Sequence, residues 1–288
     1  MKRGGQVKLS MVAVDLDGTL LGGRQDRYGI RDEVTESFHR LAVKGVAISL
    51  VTGRDMPFIL GLLKREGIDP QRDGWPRYII AMERAIYKWG PAATGTEAEE
   101  ETAGGYIPLA DWNKRVEAAE RSQYTWLRAK IDEEINGRLG EIDPKVHHID
   151  TALEEYKGFV ELIFQNADYA RRAESFLNRL LDDGAVPYRA VRNVAGIAIR
   201  HQMAGKGPAL AELCRSENIA FHQVLAMGDS GNDLSMLDGR FGFLAAAPAN
   251  AEIEVRQAVA RAGGYLATGK CGEGVAEAVE FYLTRQIA

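Results

Sequence analysis

The stretch VAVDLDGTLLGG, Val12 to Gly23, constrains this chain more than any other. An apolar run from Leu9 to Val14, broken only by Ser10, reads as a buried strand, and it ends in two carboxylates, Asp15 and Asp17. Residues two apart share a face of a strand, and Gly18 followed by Thr19 lets the backbone turn sharply after them. Two carboxylates so placed repel each other by about 4 kcal/mol at ~4 Å and an effective dielectric of ~20. A nearby cation relieves that repulsion. Turn chemistry accounts for Asp-x-Asp-Gly as readily as a site does, so the rest of the chain has to decide.

At 288 residues and 45% hydrophobic, the chain is long enough for one large or two ordinary domains with a substantial core. Lys plus Arg number 36 against 41 Asp plus Glu, a net charge of −5 with no basic stripe, which argues against a nucleic-acid partner. Cys214 and Cys271 lie far apart at no metal spacing and read as reduced thiols of an intracellular protein. The opening MKRGGQVKLS has a signal peptide's charges without its apolar middle, and no apolar run of ~18 residues follows. A soluble, cytoplasmic protein with no membrane partner is expected.

After the first strand, Arg31 to Lys44 reads as a helix with Val34, Phe38 and Leu41 on one face, acids in its first turn and Gly45 after its last. Val46 to Val51 is then a parallel strand reached by a crossover. It ends in TGRD, Thr52 to Asp55, a hydroxyl and a glycine at a strand end before a helix with Pro57 in its first turn. Such a hydroxyl is placed to donate to a phosphate oxygen, although a helix cap explains Thr52 too. A helix with Ile59, Leu62 and Leu63 stops at Gly67, and Tyr78 to Met82 is a third strand. Gly90 to Gly105, acidic and without periodicity, reads as an exposed loop.

Between Asp111 and Gly137 runs a long helical pattern, with Tyr124, Leu127, Ile131 and Ile135 in register. Lys157 to Gln165 reads as a strand, Ala167 to Asp182 as an amphipathic helix between Asn166 and Gly184, and Tyr188 to Val191 and Gly196 to Ile199 as short strands. This block reads as a separate α+β domain, 85–196, inserted into a first domain of 1–84 and 197–288. His147 and His148 are adjacent and point different ways, which disfavours a shared metal, and Trp112, Tyr124 and Trp126 read as packing.

Past the insertion, Lys206 stands between two glycines just before a helix carrying Leu210 and Leu213, so its ammonium can project from the helix start. Then VLAMGDSGNDLSML, Val224 to Leu237, is a strand ending in Gly228, with Asp229 and Asp233 four residues apart. Phe241 to Ala245 and Tyr265 to Thr268 are further short strands, and a closing helix puts Val275, Val279 and Leu283 on one face.

DLDGTLL, SLVTGRD, the Lys206 segment and GDSGND resemble, in order, the four signatures of the haloacid dehalogenase superfamily of aspartate-nucleophile phosphotransferases. All four fall at strand ends or helix starts, where an open parallel sheet binds ligands. The insertion, placed between the second and third signatures, resembles the type II cap (C2B) of the Cof-like subclass, which includes sucrose phosphatase and phosphomannomutase. AAAPANA, Ala245 to Ala251, and GEGVAEAV resemble the same subclass. Many Cof-like relatives have Asn-Gly at the core-to-cap junction, whereas this chain has Glu83 and Arg84.

The resemblance implies an α/β fold: a Rossmann-like doubly wound parallel sheet with an inserted α+β cap. It implies catalysis by Asp15 as nucleophile, Asp17 as general acid and base, and Thr52 and Lys206 as neutralisers of phosphoryl charge. Gly53, Arg54 and Asn232 would contact substrate phosphate. Mg²⁺ would be held by the Asp15 side chain, the Asp17 backbone carbonyl and Asp229, with Asp233 holding a metal water or Lys206. The expected activity is hydrolysis of a small sugar or polyol phosphate by a monomer or homodimer. A phosphomutase on the same fold and a non-catalytic phosphoacceptor module are the alternatives; a complete catalytic set at the first strand disfavours the second.

Overall fold

The computed structural model describes residues 8–22, 28–90, 104–149 and 159–284. In chain order its elements are β1 (Met11–Val14), α1 (Asp32–Val43), β2 (Ala47–Val51), α2 (Met56–Arg65), α3 (Pro70–Asp73), β3 (Tyr78–Ala81), β4 (Ala85–Trp89) and β5 (Tyr106–Pro108). There follow α4 (Ala110–Arg121), α5 (Tyr124–Ile135), α6 (Arg138–Ile142), β6 (His147–His148), β7 (Val160–Ile163), α7 (Ala167–Asp183), β8 (Tyr188–Asn193) and β9 (Gly196–His201). The chain closes with α8 (Lys206–Ser216), β10 (Val224–Met227), α9 (Leu234–Leu237), β11 (Leu244–Ala247), α10 (Ile253–Arg261), β12 (Tyr265–Leu266) and α11 (Gly272–Thr284). Among these helices none is long and apolar enough to cross a membrane. Cys214 and Cys271 are buried free thiols.

Two compact units result, one of 1–110 with 206–288 and one of 111–205. The first is built on an eight-stranded sheet ordered β12-β11-β10-β1-β2-β3-β4-β5. From β12 to β3 it is parallel, the Rossmann-like arrangement, and β4 and β5 extend the edge antiparallel. Strand β1 lies at the middle with all four residues buried, which is why its sequence is uninterrupted apolar rather than alternating. Helix α1 buries Val34, Phe38 and Leu41. Phe38 meets the fully buried Trp75 edge to face at 5.1 Å, and burying such a ring contributes about 2–3 kcal/mol. Asp55, rather than Thr52, caps α2, its carboxylate accepting from Phe58 N at 3.0 Å, and this leaves the Thr52 hydroxyl for other work.

The unit boundaries fall at 110/111 and 205/206, where the sequence suggested 84/85 and 196/197. β4 and β5 are the reason at the first junction, since Ile79–Tyr87 and Lys88–Ile107 pairings tie them to the parallel sheet. At the second, Gly196–His201 pairs along β7 and β8 inside the inserted unit. Most of the acidic segment Gly90 to Gly105 lies outside the described residues.

The inserted unit is a four-stranded antiparallel sheet, β6-β7-β9-β8, with its own apolar core. The helical pattern from Asp111 to Gly137 is two helices, because the Ser122 hydroxyl turns back to donate to Ala119 O at 2.7 Å and the chain breaks there. Asn166 caps α7 through Tyr169 N at 2.9 Å. Trp112 packs inward, while Trp126 is 45% exposed and does not. His148 pairs with Asp132 at 2.6 Å, and His147 Nδ1 lies 2.9 Å from Lys145 O.

Candidate active site

The first three motifs and the fourth meet at the carboxyl ends of β1, β2 and β10. Asp15 follows β1 directly, its backbone N–H held by Met227 O at 3.0 Å, and it is 4% exposed. Lys206 opens α8 and is more deeply buried still; its Nζ donates at 2.6 Å to Asp15 Oδ1 and at 2.6 Å to Asp233 Oδ1. Burial alone would favour the neutral amine, but the charges of Asp15, Asp233 and Glu83 outweigh it and hold the ammonium protonated. Asp15 is the less satisfied partner. Burial raises its carboxyl well above the usual range, Asp233 and Asp229 add to the shift, and Lys206 only partly opposes it.

Asp233 has spent its other oxygen locally. Oδ2 accepts from the backbone N–H groups of Asp229 at 2.9 Å and Ser230 at 3.0 Å, folding the GDSGND loop around itself. A Cβ on Gly228 would lie 2.4 Å from the Asp233 Cβ, so the motif needs glycine there. Gly18 is under the same kind of constraint: φ is +81° and a Cβ would stand 2.4 Å from Asp229 Oδ2. Thr19 donates to Asp229 Oδ1 at 2.7 Å.

Asp17, partly exposed, is gripped from the side. Arg54 donates to it twice, Nε to Oδ2 at 2.9 Å and a terminal nitrogen to Oδ1 at 2.8 Å, and the Tyr28 hydroxyl donates to Oδ1 as well. Burial opposes the effect, yet the bonds from Arg54 and Tyr28 pull the Asp17 carboxyl below the ordinary range. Arg54 therefore sits on Asp17, and its guanidinium also covers the Phe58 ring at 4.4 Å. Thr52 is fully buried, its Oγ1 accepting from Arg54 N at 3.1 Å. Asn232 presents its amide between Ser230 Oγ, which donates to Oδ1 at 2.6 Å, and Glu83 Oε1, which accepts from Nδ2 at 2.7 Å.

The structure thus gathers Asp15, Asp17, Thr52, Arg54, Lys206, Asp229, Asn232 and Asp233 within one hydrogen-bonded cluster, with Gly53 in the turn between Thr52 and Arg54. It adds Thr19, Tyr28, Glu83 and Asn250, which the motifs did not single out. Asn250 Nδ2 donates to Gly18 O at 2.7 Å while its Oδ1 accepts from Cys271 N at 2.7 Å, buttressing the loop after β1. Its signal was present in the AAAPANA segment, and Glu83 was marked by standing where Cof-like relatives have Asn-Gly; Tyr28 carried none, because only the fold brings it near.

Asp15, Asp229 and Asp233 offer carboxylate oxygens all within 4.8 Å of one another, a set that could hold a metal ion. An all-oxygen donor set suits a hard divalent cation such as Mg²⁺. The electrostatics fit as well. Burial first, and the charge of Asp233 second, push the Asp229 carboxyl up to about 7, the mark of an anion lacking a counter-charge. Since Asp233 is committed to Lys206 and two backbone donors, Asp15 and Asp229 are the carboxylates left to face an ion.

Residues 12–86 match the family described as haloacid dehalogenase-like hydrolase, and residues 177–283 match sucrose-6F-phosphate phosphohydrolase. The putative phosphatase YxeH of Bacillus subtilis is 26% identical over 266 residues, 86% of this chain and 90% of that protein. A phosphoglycolate phosphatase of Methanoculleus marisnigri is 26% identical over 291 residues, covering 95% of this chain and 97% of its own. In fold the chain is similar to the sucrose-phosphatase of Synechocystis sp. PCC6803, with a TM-score of 0.69 at 18% identity and coverage of 96% and 98%. Both family matches land on the strands that carry the buried aspartates, and with the phosphatase relatives they support a haloacid dehalogenase-like hydrolase of the Cof-like kind.

Proposed function

We propose that this phosphatase hydrolyses the phosphate ester of a small sugar or polyol with Mg²⁺, through an aspartyl-phosphate on Asp15. The observation that carries the reading is the buried Asp15 carboxylate with the Lys206 ammonium shared between it and Asp233. A fixed cation beside a desolvated nucleophile is what attack by one anion on another requires. Asp15 would attack phosphorus in line while the bond to the leaving oxygen breaks, and Asp17 would give that oxygen its proton. In the second step Asp17 takes a proton from water as the water attacks phosphorus, and Asp15 is released with inorganic phosphate.

Arg54, gripping Asp17 twice, disfavours a proton on its carboxyl. A phosphoryl group competing for that guanidinium would free the carboxyl to rise toward protonation, which gives Arg54 the phosphate-binding part. Thr52 and Asn232 would donate to the remaining phosphoryl oxygens. Mg²⁺, when bound by the Asp15 side chain, the Asp17 carbonyl and Asp229, supplies charge neutralisation that Lys206 alone does not. The inserted unit is read as the part that selects the leaving group. One relative is named for sucrose phosphate and another for phosphoglycolate, and the neutral class is favoured here by the crowd of carboxylates at the site.

The test is phosphate release from a panel of sugar, polyol, nucleotide and phosphoglycolate-type esters, with Mg²⁺ and with chelator. Release concentrated on sugar or polyol esters and lost on chelation is the expected result. No release, together with labelling of Asp15 by a sugar bisphosphate, would replace hydrolysis by phosphotransfer.

A further inference from the structure

Gly18 is the softest point of the loop that follows β1. Its φ of +81° lies where glycine moves without steric penalty, so the peptide planes on either side of its Cα have to be held from outside. The first plane joins Asp17 to Gly18. Gly18 N donates to Leu21 O at 3.1 Å, and because a peptide is planar this bond also sets which way the Asp17 carbonyl points. The second plane joins Gly18 to Thr19. Its N–H reaches Leu16 O at 3.3 Å, while its carbonyl accepts from Asn250 Nδ2 at 2.7 Å.

Asn250 can hold that second plane because its far end is anchored. Its Oδ1 accepts from Cys271 N at 2.7 Å, with the Cys271 thiol 3.5 Å from the same oxygen, at the residue just before α11. The turn that carries Asn250 is fixed on both flanks: Ala249 N donates to Gly269 O at 2.8 Å, and Glu252 N donates to Asp229 O at 2.8 Å. It packs so closely on the start of α11 that a Cβ on Gly274 would lie 2.8 Å from the Pro248 Cβ. Asn250 is itself exposed, so these bonds rather than burial set its position. Thr19, on the other side of the clamped plane, donates from Oγ1 to Asp229 Oδ1 at 2.7 Å. The Asp17 carbonyl and the Asp229 carboxylate therefore both depend on how the peptides around Gly18 are held.

We infer that Asn250 is a positioning residue for the divalent cation: by clamping the Gly18–Thr19 peptide to the start of α11, it preorganises the Asp17 carbonyl and the Asp229 carboxylate to receive the ion. It acts through Gly18 and not on the ion itself. Preorganisation of this kind shows in affinity, because an unclamped loop must be ordered each time the cation binds. The inference rests on the Mg²⁺ part of the proposed function.

Calorimetric titration of wild type and Asn250→Ala with Mg²⁺, in the absence of substrate, tests it. The variant should bind Mg²⁺ about tenfold more weakly and keep a metal-free thermal midpoint within a few degrees of wild type. In turnover the Mg²⁺ concentration for half-maximal rate should rise by the same factor, while kcat at saturating Mg²⁺ returns to near the wild-type value. A role confined to holding α11 would lower the midpoint and leave Mg²⁺ affinity unchanged, which overturns the inference. Should Asn250→Ala unfold, Asn250→Asp keeps an oxygen for Cys271 N and loses the donor to Gly18 O. Its added charge favours a cation, so weaker Mg²⁺ binding reports the lost donor, and equal or tighter binding overturns the inference. If wild type binds no Mg²⁺, the metal reading and this inference fall together. If it binds Mg²⁺ yet releases phosphate from no ester, the phosphatase reading falls alone and the titration still decides Asn250.

Discussion

Two carboxylates, one fully buried in the inserted unit and one half-buried in the catalytic unit, show opposite chemistry. Asp143 in the inserted unit is fully buried, yet its oxygens accept from Gln165 N at 2.7 Å, Gln165 Nε2 at 2.5 Å and Lys145 N at 3.0 Å. Burial pushes against ionisation there, but those donors, with the charge of Lys145, hold the carboxyl below its usual range. Asp229 in the catalytic unit has other carboxylates for neighbours, and burial with Asp233 raises it to about 7. Burial alone does not set the sign; the identity of the neighbours does. A carboxylate surrounded by amides fastens the α6–β6 turn to the end of β7, whereas one surrounded by carboxylates waits for a cation.

That contrast is open to breakage at several points. The largest effect belongs to Asp15→Asn, which keeps the shape and removes the nucleophile: phosphate release should fall at least about a thousandfold, with a thermal midpoint within a few degrees of wild type. Wild-type-like turnover would remove Asp15 from the reaction.

Lys206→Met comes next. It strips the ammonium from two buried aspartates and should destabilise by about 3–5 kcal/mol in chemical denaturation. Asp143→Asn loses only favourable amide contacts, about 1–3 kcal/mol, and should leave kcat/KM for a good ester near wild type. An equal loss in the two variants would erase the distinction between the sites.

The pH dependence sharpens it further. Asp229 holds its proton in the folded state up to about 7 but releases it near 3.8 when unfolded, so the native state binds more protons between those values. Stability of the metal-free protein should then decline as pH rises across that window, and saturating Mg²⁺ should abolish the decline. Asp143 runs the other way: its folded carboxyl lies below the ordinary value, so its contribution is present at neutral pH and is lost as pH falls through the acid range. Asp143→Asn should flatten the acid limb of the profile and leave the Mg²⁺-sensitive limb in place. The smallest effect is expected at the exposed Arg171–Asp168 pair, where Arg171→Ala should change stability by no more than ~0.5 kcal/mol.

Much of the catalytic unit was legible because its signals are local. The apolar runs of β1, β2 and β10, that of β2 broken only by Ser49, read as parallel strands, and the acids placed after β1 and β10 read as a site. Antiparallel β4 and β5 escaped because AIYKW and YIP are short, half-buried strands at one end of the sheet, with 91–103 outside the described residues between them. The division of the 111–137 pattern into α4 and α5 escaped for another reason: apolar periodicity continues across Ser122, and only its hydroxyl's turn to Ala119 O marks the break. Phe241 to Ala245 was read a few residues early, the strand being Leu244–Ala247, since Phe243 packs in the core from outside the pairing.

By itself the sequence determined which residue types stand at strand ends and in what order: the paired aspartates, the Thr-Gly-Arg turn, the lysine at a helix start and the second pair of aspartates. Hydrophobic periodicity and turn chemistry act over a few residues, so no partner is needed to read them. The tertiary structure alone decided that Lys206 meets Asp15 across 191 positions and that Glu83 takes the Asn232 amide across 149. It also decided that Arg54 and Tyr28 close on Asp17. Charge, burial and hydrogen bonding act through space, so contacts across such separations have no local signature that a chain of letters can carry.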